Sequence, residues 1–166
     1  DYIFLPEIFE MWSGEQDYQR LDFNSSCVFV SGEPFYLRQA FKDYYLEERL
    51  ITPYLNFANG FEYEVEKFVV VGKKLGIEDE TIIRQAYEKA ISKQLDFFGE
   101  LEKAGNEFLS FLKSNPNMYA IVLVGRPYNT FTSFANKGIP QKFASRGVYV
   151  IPYEYLNFSF YSLGKS

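Results

Sequence analysis

A short segment in the C-terminal half of the chain combines residue types that can hold a ligand, namely Gly125, Arg126, Pro127, Tyr128 and Asn129. Glycine allows a sharp turn or the close approach of a ligand to the backbone. Arginine offers a fixed fork of donors for a carboxylate or a phosphate. Glycine, proline and asparagine are also ordinary turn residues. The segment is therefore either a ligand-binding loop or a rigid connection between two elements, and it contains no phosphate-binding glycine motif.

The elements on both sides of this segment predict a βαβ unit. The apolar run MYAIVLVG (118–125) is typical of a strand buried on both faces. A short helix is predicted over 134–147 and a second strand over 148–152, which gives a parallel pair with a right-handed crossover. Ligands of open parallel sheets bind beyond the carboxyl ends of the strands. The 125–129 segment is expected at such an end.

The rest of the chain adds further strands and helices to an α/β fold with a parallel sheet. The strongest pattern lies over 77–115, where an apolar stripe predicts one long helix. Gly99 and Gly105 lie inside it and would kink it or divide it into a helix pair. The other predicted elements are a strand at 2–5 stopped by Pro6, a long loop over 10–32, a helix over 34–50, an extended piece at 51–57 and a helix over 61–75.

Composition limits the functions that the chain can have. The 166 residues include 17 basic and 22 acidic side chains, which gives a net charge of −5, and the sequence shows no basic stripe. We therefore expect no nucleic acid as partner. We expect no membrane either, because the longest apolar runs, FVVVG and YAIVLVG, are much shorter than a membrane span. The chain has no histidine, which excludes nucleophile–histidine pairs. It has a single cysteine, which cannot form an internal disulfide and is typical of a cytoplasmic protein.

Three other side chains, Glu7, Glu10 and Cys27, are candidates for chemistry. Glu7 and Glu10 follow the first predicted strand and could act as an acid–base pair with Arg126 in a small-molecule enzyme. Surface glutamates are far more often solvated than catalytic. Cys27 lies in the predicted loop, where a lone cysteine is usually a small buried apolar residue. As an iron–sulfur ligand it would need partners from elsewhere, because clusters are held by several thiolates.

Several segments together resemble the dehydratase-like portion of the CoA-substrate-specific enzyme activases, a family also called DUF2229, which is related to the 2-hydroxyacyl-CoA dehydratases and their ATP-dependent activators in anaerobic bacteria. The most specific match is VLVGRPYNTFTSFANKGIPQKFASRGVYVIPYEYL. Weaker matches are DYIFLPEIF near the start, the cysteine-containing segment before GEPFYLRQAF, and ITPYLNF. The resemblance extends over the whole chain, as part of a much longer family sequence.

The resemblance implies a three-layer α/β fold, Rossmann- or flavodoxin-like, and a [4Fe-4S] cluster in the full-length protein. It implies that Cys27 is a cluster ligand and that Gly125, Arg126, Pro127, Tyr128 and Asn129 line a cluster or acyl-CoA crevice. The family commonly has Cys-Pro where this chain has Cys27 followed by Val28. No second cysteine and no activator phosphate motif is present, so a complete cluster site and ATP hydrolysis are not expected within these residues.

We therefore expect residues 1–166 to be a single α/β domain, or part of one, from a longer multidomain protein, because the chain begins with Asp1. It is expected to be catalytically inert alone. Its partners would be other domains of the parent chain or a dehydratase or activator protein, with acyl-CoA as the ligand. The alternative is a non-catalytic interaction module that kept the fold and lost the cluster site.

Overall fold

The structure is a computed structural model that describes residues 1–12, 25–44 and 46–156. Most of the loop predicted over 10–32 lies outside the described residues. The chain divides into two compact units, Asp1–Lys93 and Gln94–Ser166. Each mixes helices with strands that pair in parallel, which confirms the α/β class and the parallel pairing. The three-layer arrangement stays a prediction, because the described sheets contain two strands each.

The first unit is built on two parallel strand pairs. Strand β1 (Ile3–Phe4) pairs with β3 (Leu50–Ile51), and β2 (Glu7–Glu10) pairs with β4 (Tyr54–Asn56). Strand β1 ends before Pro6, which cannot donate to a ladder, as predicted, and a separate strand, β2, follows that was not predicted. The helices of this unit are α1 (Val28–Ser31), α2 (Glu33–Ala40), α3 (Val65–Lys74) and the first part of α4 (Glu80–Ser114).

The core of the first unit lies between these strands and helices α3 and α4. Its buried apolar side chains are Leu50, Ile51, Leu55, Phe57, Val69 and Ile83. At the surface, Arg84 binds both carboxylate oxygens of Glu66, at 2.7 and 3.0 Å. This contact joins α3 to α4 and lowers the pKa of Glu66 through the hydrogen bond from the guanidinium. The ion pair and the apolar contacts together fix the beginning of α4 against α3.

The predicted helix over 34–50 is too long. Helix α2 ends at Ala40, and short 3₁₀ turns follow at Lys42–Tyr44 and Leu46–Glu48. The chain then enters β3, where Leu50 and Ile51 are almost fully buried beside β1. Pairing with β1 therefore overrides the helical spacing of the last residues.

The long helix predicted over 77–115 is confirmed as one uninterrupted element, α4. Its start is defined by Asp79, whose carboxylate accepts the Thr81 N–H at 2.8 Å as a helix-capping residue does. Neither Gly99 nor Gly105 breaks it. No helix among the described residues is long and apolar enough to cross a membrane.

The second unit contains the predicted parallel pair. Strand β5 (Ala120–Leu123) pairs with β6 (Tyr149–Pro152), from Ala120 opposite Tyr149 to Leu123 opposite Pro152. The connection holds two short helices, α5 (Pro127–Thr130) and α6 (Ile139–Ala144), so the single helix predicted over 134–147 begins too early. The prediction that β5 is buried on both faces is wrong. Ile121 is 37% and Val122 43% exposed, because β6 is its one strand neighbour among the described residues.

Candidate functional site

The 125–129 segment lies at the carboxyl end of β5 and forms a single helical turn. Arg126 has the extended conformation expected before a proline, with φ −69° and ψ 145°. Its carbonyl accepts the N–H groups of Asn129 and Thr130 at 2.8 and 3.0 Å. A Cβ on Gly125 would lie 3.3 Å from Thr130 Cγ2, so the glycine allows the turn to fold close to the strand end. The segment is thus an ordered connection that follows the strand directly.

Two buried polar residues hold this turn in place. Thr130 is 4% and Asn136 9% exposed. The Asn136 amide donates to the Thr130 carbonyl at 3.0 Å, and its oxygen accepts the Gly138 N–H at 3.0 Å. Both ends of the Asn136 side chain are therefore bonded. Neither residue was among the predicted site residues, although Asn136 two positions before a glycine is a recognisable side-chain turn signal.

The carboxyl end of β6 contributes a third polar group to the same turn. Glu154 lies in the short 3₁₀ turn Tyr153–Tyr155 directly after β6. Its Oε1 accepts a hydrogen bond from the Thr130 hydroxyl at 3.3 Å. The hydroxyl also lies 3.3 Å from the Pro127 carbonyl. The ends of the two parallel strands are therefore connected through Thr130.

The predicted site residues themselves face outward from this anchored turn. Arg126, Pro127, Tyr128 and Asn129 are exposed, Tyr128 by 51%, while Gly125 is half-buried. A guanidinium, a phenol and an amide are thus accessible at the position where open parallel sheets bind ligands. They can bind and orient a ligand.

Cys27 belongs to the first unit and lies beside β2. The neighbouring Ser26 donates its N–H to the Phe9 carbonyl at 2.9 Å and its hydroxyl to the Ile8 carbonyl. Cys27 itself is half-buried and directly precedes α1. It is the only cysteine of the chain, and the described residues contain no group of three or more histidine, cysteine or acidic side chains that could hold a metal ion. This donor set does not fit a complete iron–sulfur cluster, which takes about four thiolates.

One of the two glutamates that follow the first predicted strand, Glu10, takes part in a structural network. Glu10 accepts the Asn56 side-chain amide at 2.7 Å. The Asn56 N–H donates to the buried Glu64 at 3.1 Å, and Lys67 binds the same Glu64 oxygen at 2.7 Å. Glu10 is thus engaged in holding β2, β4 and the start of α3 together. Glu7 and Glu10 lie in the first unit, whereas Arg126 lies in the second.

Tyr87 contributes to the same region of the first unit. Its hydroxyl donates to the Phe61 carbonyl at 2.6 Å, and its ring stacks on Phe68 at 4.5 Å between centroids. Burial, followed by the charges of Glu64 and Glu62, raises its pKa to about 12. Because the neutral phenol is favoured, Tyr87 serves as a packed donor here.

Comparison with known proteins identifies one family. A family model described as CoA enzyme activase uncharacterised domain, DUF2229, matches residues 1–156. Neither the curated proteins nor the solved structures gave a match. The matched range contains both Cys27 and the turn at 125–129.

Proposed function

We propose that this chain, which belongs to the family of CoA enzyme activase uncharacterised domains (DUF2229), is the dehydratase-like part of a CoA-substrate-specific enzyme activase. In this role it shapes a crevice that faces an acyl-CoA and an iron–sulfur cluster, docks against other domains, and is inert alone. The observation that carries the proposal is the exposure of Arg126, Tyr128 and Asn129 on a turn fixed by buried Thr130 and Asn136.

The chemistry of this turn favours binding over catalysis. A guanidinium binds phosphate or carboxylate oxygens in a bidentate manner, and the Tyr128 ring offers a flat apolar surface that ends in a hydroxyl. The chain has no histidine to activate a nucleophile. The function proposed for the turn is therefore to position a ligand, with the reaction carried out by other parts of the system.

Replacing Arg126 by alanine is expected to weaken binding of acetyl-CoA about tenfold, since it removes a charge-assisted contact. The measurement is isothermal titration calorimetry on the purified protein. Arg146→Ala is the matched control, because Arg146 is an exposed arginine of the same unit near the end of α6. If the Arg126→Ala variant binds acetyl-CoA as tightly as the unsubstituted protein does, the turn is only a connection between two elements.

The proposed cluster would take one ligand from this chain, Cys27, and the others from outside it. The position supports this, since Cys27 lies next to β2 and is not fully enclosed. We expect the full-length protein, reconstituted anaerobically with iron and sulfide, to develop the broad visible absorbance of a [4Fe-4S] cluster. Cys27→Ser should diminish that absorbance, and Ser26→Ala is a neighbouring control. An undiminished cluster in Cys27→Ser contradicts the assignment.

The same family membership supports a wider architecture. We propose that the chain is one part of a longer cytoplasmic protein, in which further strands extend β5 and β6 into a three-layer, Rossmann- or flavodoxin-like sheet. The exposed apolar residues of β5, Ile121 and Val122, support this arrangement, because parallel strands normally have both faces covered. Other domains of the parent chain, or a dehydratase or activator protein, are the proposed partners.

A second candidate function is a non-catalytic interaction module. The observation in its favour is the apolar surface next to Cys27, where Val28 and Phe29 are each 73% exposed, since exposed apolar patches mark interaction sites. This candidate predicts a protein that docks its partner domains but binds neither a cluster nor acetyl-CoA. The calorimetry and the reconstitution described above separate the two functions.

A further inference from the structure

The charges of the chain are unevenly distributed. Residues 108–153 contain no aspartate or glutamate and five basic side chains, Lys113, Arg126, Lys137, Lys142 and Arg146. The whole chain has a net charge of −5, so the remainder carries −10. Composition taken over the whole chain conceals this basic segment, which includes β5, β6 and both helices between them. Glu154 follows this segment directly and lies against Thr130. An excess of positive charge within a segment favours the binding of anionic ligands.

The turn between α5 and α6 presents one of these cations from an unusual backbone conformation. Lys137 has φ 56° and the next residue, Gly138, has φ 68°, both in the left-handed region. A lysine rarely adopts this conformation, which persists where the surroundings impose it and is frequent at ligand-binding sites. Here the surroundings are supplied by Asn136, whose two hydrogen bonds fix the chain on both sides of Lys137.

An exposed aromatic ring accompanies this cation. Phe134 is 84% exposed, and the Lys137 ammonium lies 5.0 Å from the centre of its ring. A cation over the face of an aromatic ring is held by the charge distribution of the ring. Lys137 forms no ion pair with any described acidic residue. The turn therefore presents a flat apolar surface and a positive charge side by side.

Arg126 lies at the other end of α5, directly before Pro127. The Arg126 carbonyl accepts the Thr130 N–H, and the Thr130 carbonyl accepts the Asn136 amide. Helix α5 thus stands between Arg126 and Lys137 as one hydrogen-bonded connection. A ligand that carries phosphate groups and a planar base matches this combination, since cations bind the phosphates and an aromatic ring stacks on the base.

We propose that the turn between α5 and α6 binds the nucleotide end of a phosphorylated ligand, with Lys137 and Arg126 on the phosphates and Phe134 against the base. This inference deepens the proposed function and rests on it for the identity of the ligand as a CoA ester. It assigns the nucleotide end of the ligand to residues 126–138, an assignment that the family match does not contain.

The test is calorimetric titration of the protein with ADP, which carries the base and the phosphates, and with pantetheine, which carries neither. ADP is expected to bind and pantetheine to bind at least tenfold more weakly. Lys137→Gly is the decisive variant, because glycine adopts the left-handed conformation without strain, so the variant should fold as stably as the unsubstituted protein. It should bind ADP about tenfold more weakly. Lys142→Gln, which removes an equal charge from α6, should change the affinity less than twofold.

The outcomes separate this inference from the proposed function. If Lys137→Gly and the unsubstituted protein bind ADP equally well, the inference is overturned. If Arg126→Ala weakens acetyl-CoA binding while Lys137→Gly does not, the proposed function stands and the inference fails. If Lys137→Gly weakens ADP binding but acetyl-CoA binds no more tightly than ADP, the nucleotide site stands and the assignment of the ligand as a CoA ester fails. If Lys137→Gly and Lys142→Gln weaken ADP binding equally, the effect comes from the loss of a positive charge at either position, and the inference is also overturned.

Discussion

Replacing Gly105 by alanine is expected to destabilise the protein even though the substitution lies in the middle of a helix. A Cβ at this position would lie 2.7 Å from the carbonyl carbon of Tyr155 and closer still to its oxygen. Both are backbone atoms, so no side-chain rotation relieves the clash, and α4 or the turn after β6 has to move. Overpacking of this kind costs about 3 kcal/mol, which outweighs the helix-propensity gain of about 1 kcal/mol.

Gly99 provides the matched control in the same helix. A Cβ on Gly99 would meet no atom within 4 Å. Gly99→Ala is therefore expected to raise the free energy of unfolding by about 1 kcal/mol. Urea unfolding of the two variants and the unsubstituted protein is the measurement. Stabilisation by both substitutions would show that α4 does not approach Tyr155 as described.

Asn136→Asp is expected to have the second large effect, on both stability and ligand binding. The substitution preserves shape but replaces the amide that donates to the Thr130 carbonyl by a carboxylate oxygen. The buried carboxylate keeps the Gly138 N–H as a donor, but its second oxygen faces the Thr130 carbonyl. Such an incompletely bonded buried charge costs about 3 kcal/mol, so the segment that carries Arg126 and Lys137 should loosen. Urea unfolding is expected to show the loss in stability, and calorimetry a weaker binding of ADP.

The pH dependence of this variant has a definite sign. The unfavourable burial raises the folded-state pKa of the new carboxyl above its unfolded value of about 3.9. The protonated form can donate to the Thr130 carbonyl, so the loss in stability should be small below pH about 4 and grow as the pH rises. Asn129→Asp makes the same chemical change at an exposed neighbour and should be nearly neutral. A pH-independent loss in Asn136→Asp would contradict the hydrogen-bond assignment.

The sequence was most informative where a pattern is long or strictly local. The apolar stripe over 77–115 extends far enough that two glycines could not interrupt α4, and the βα connection after the apolar run correctly implied that β5 and β6 are parallel. The bounds of the shorter helices were less accurate. The segment after Ala40 does not continue α2, because Leu50 and Ile51 pair with β1. That partner strand lies more than forty residues earlier in the chain.

Only part of the candidate site could be predicted from the sequence. The outward side chains of the 125–129 turn could be recognised from their types, but the residues that hold it could not. Thr130, Asn136 and Glu154 are ordinary polar residues, and their importance comes from burial and from contacts across as many as 24 positions. The buried Glu64 was missed for the same reason, since its partners Asn56 and Lys67 are brought together only by folding.

Amide hydrogen exchange with and without saturating acetyl-CoA tests whether the turn at 125–129 is a ligand-binding surface for CoA esters. We expect slower exchange in peptides that cover residues 125–138, with no comparable change in peptides of the first unit around Glu10 and Glu64. Unchanged exchange over 125–138 at a ligand concentration where calorimetry shows binding, or protection confined to other segments, would contradict this expectation.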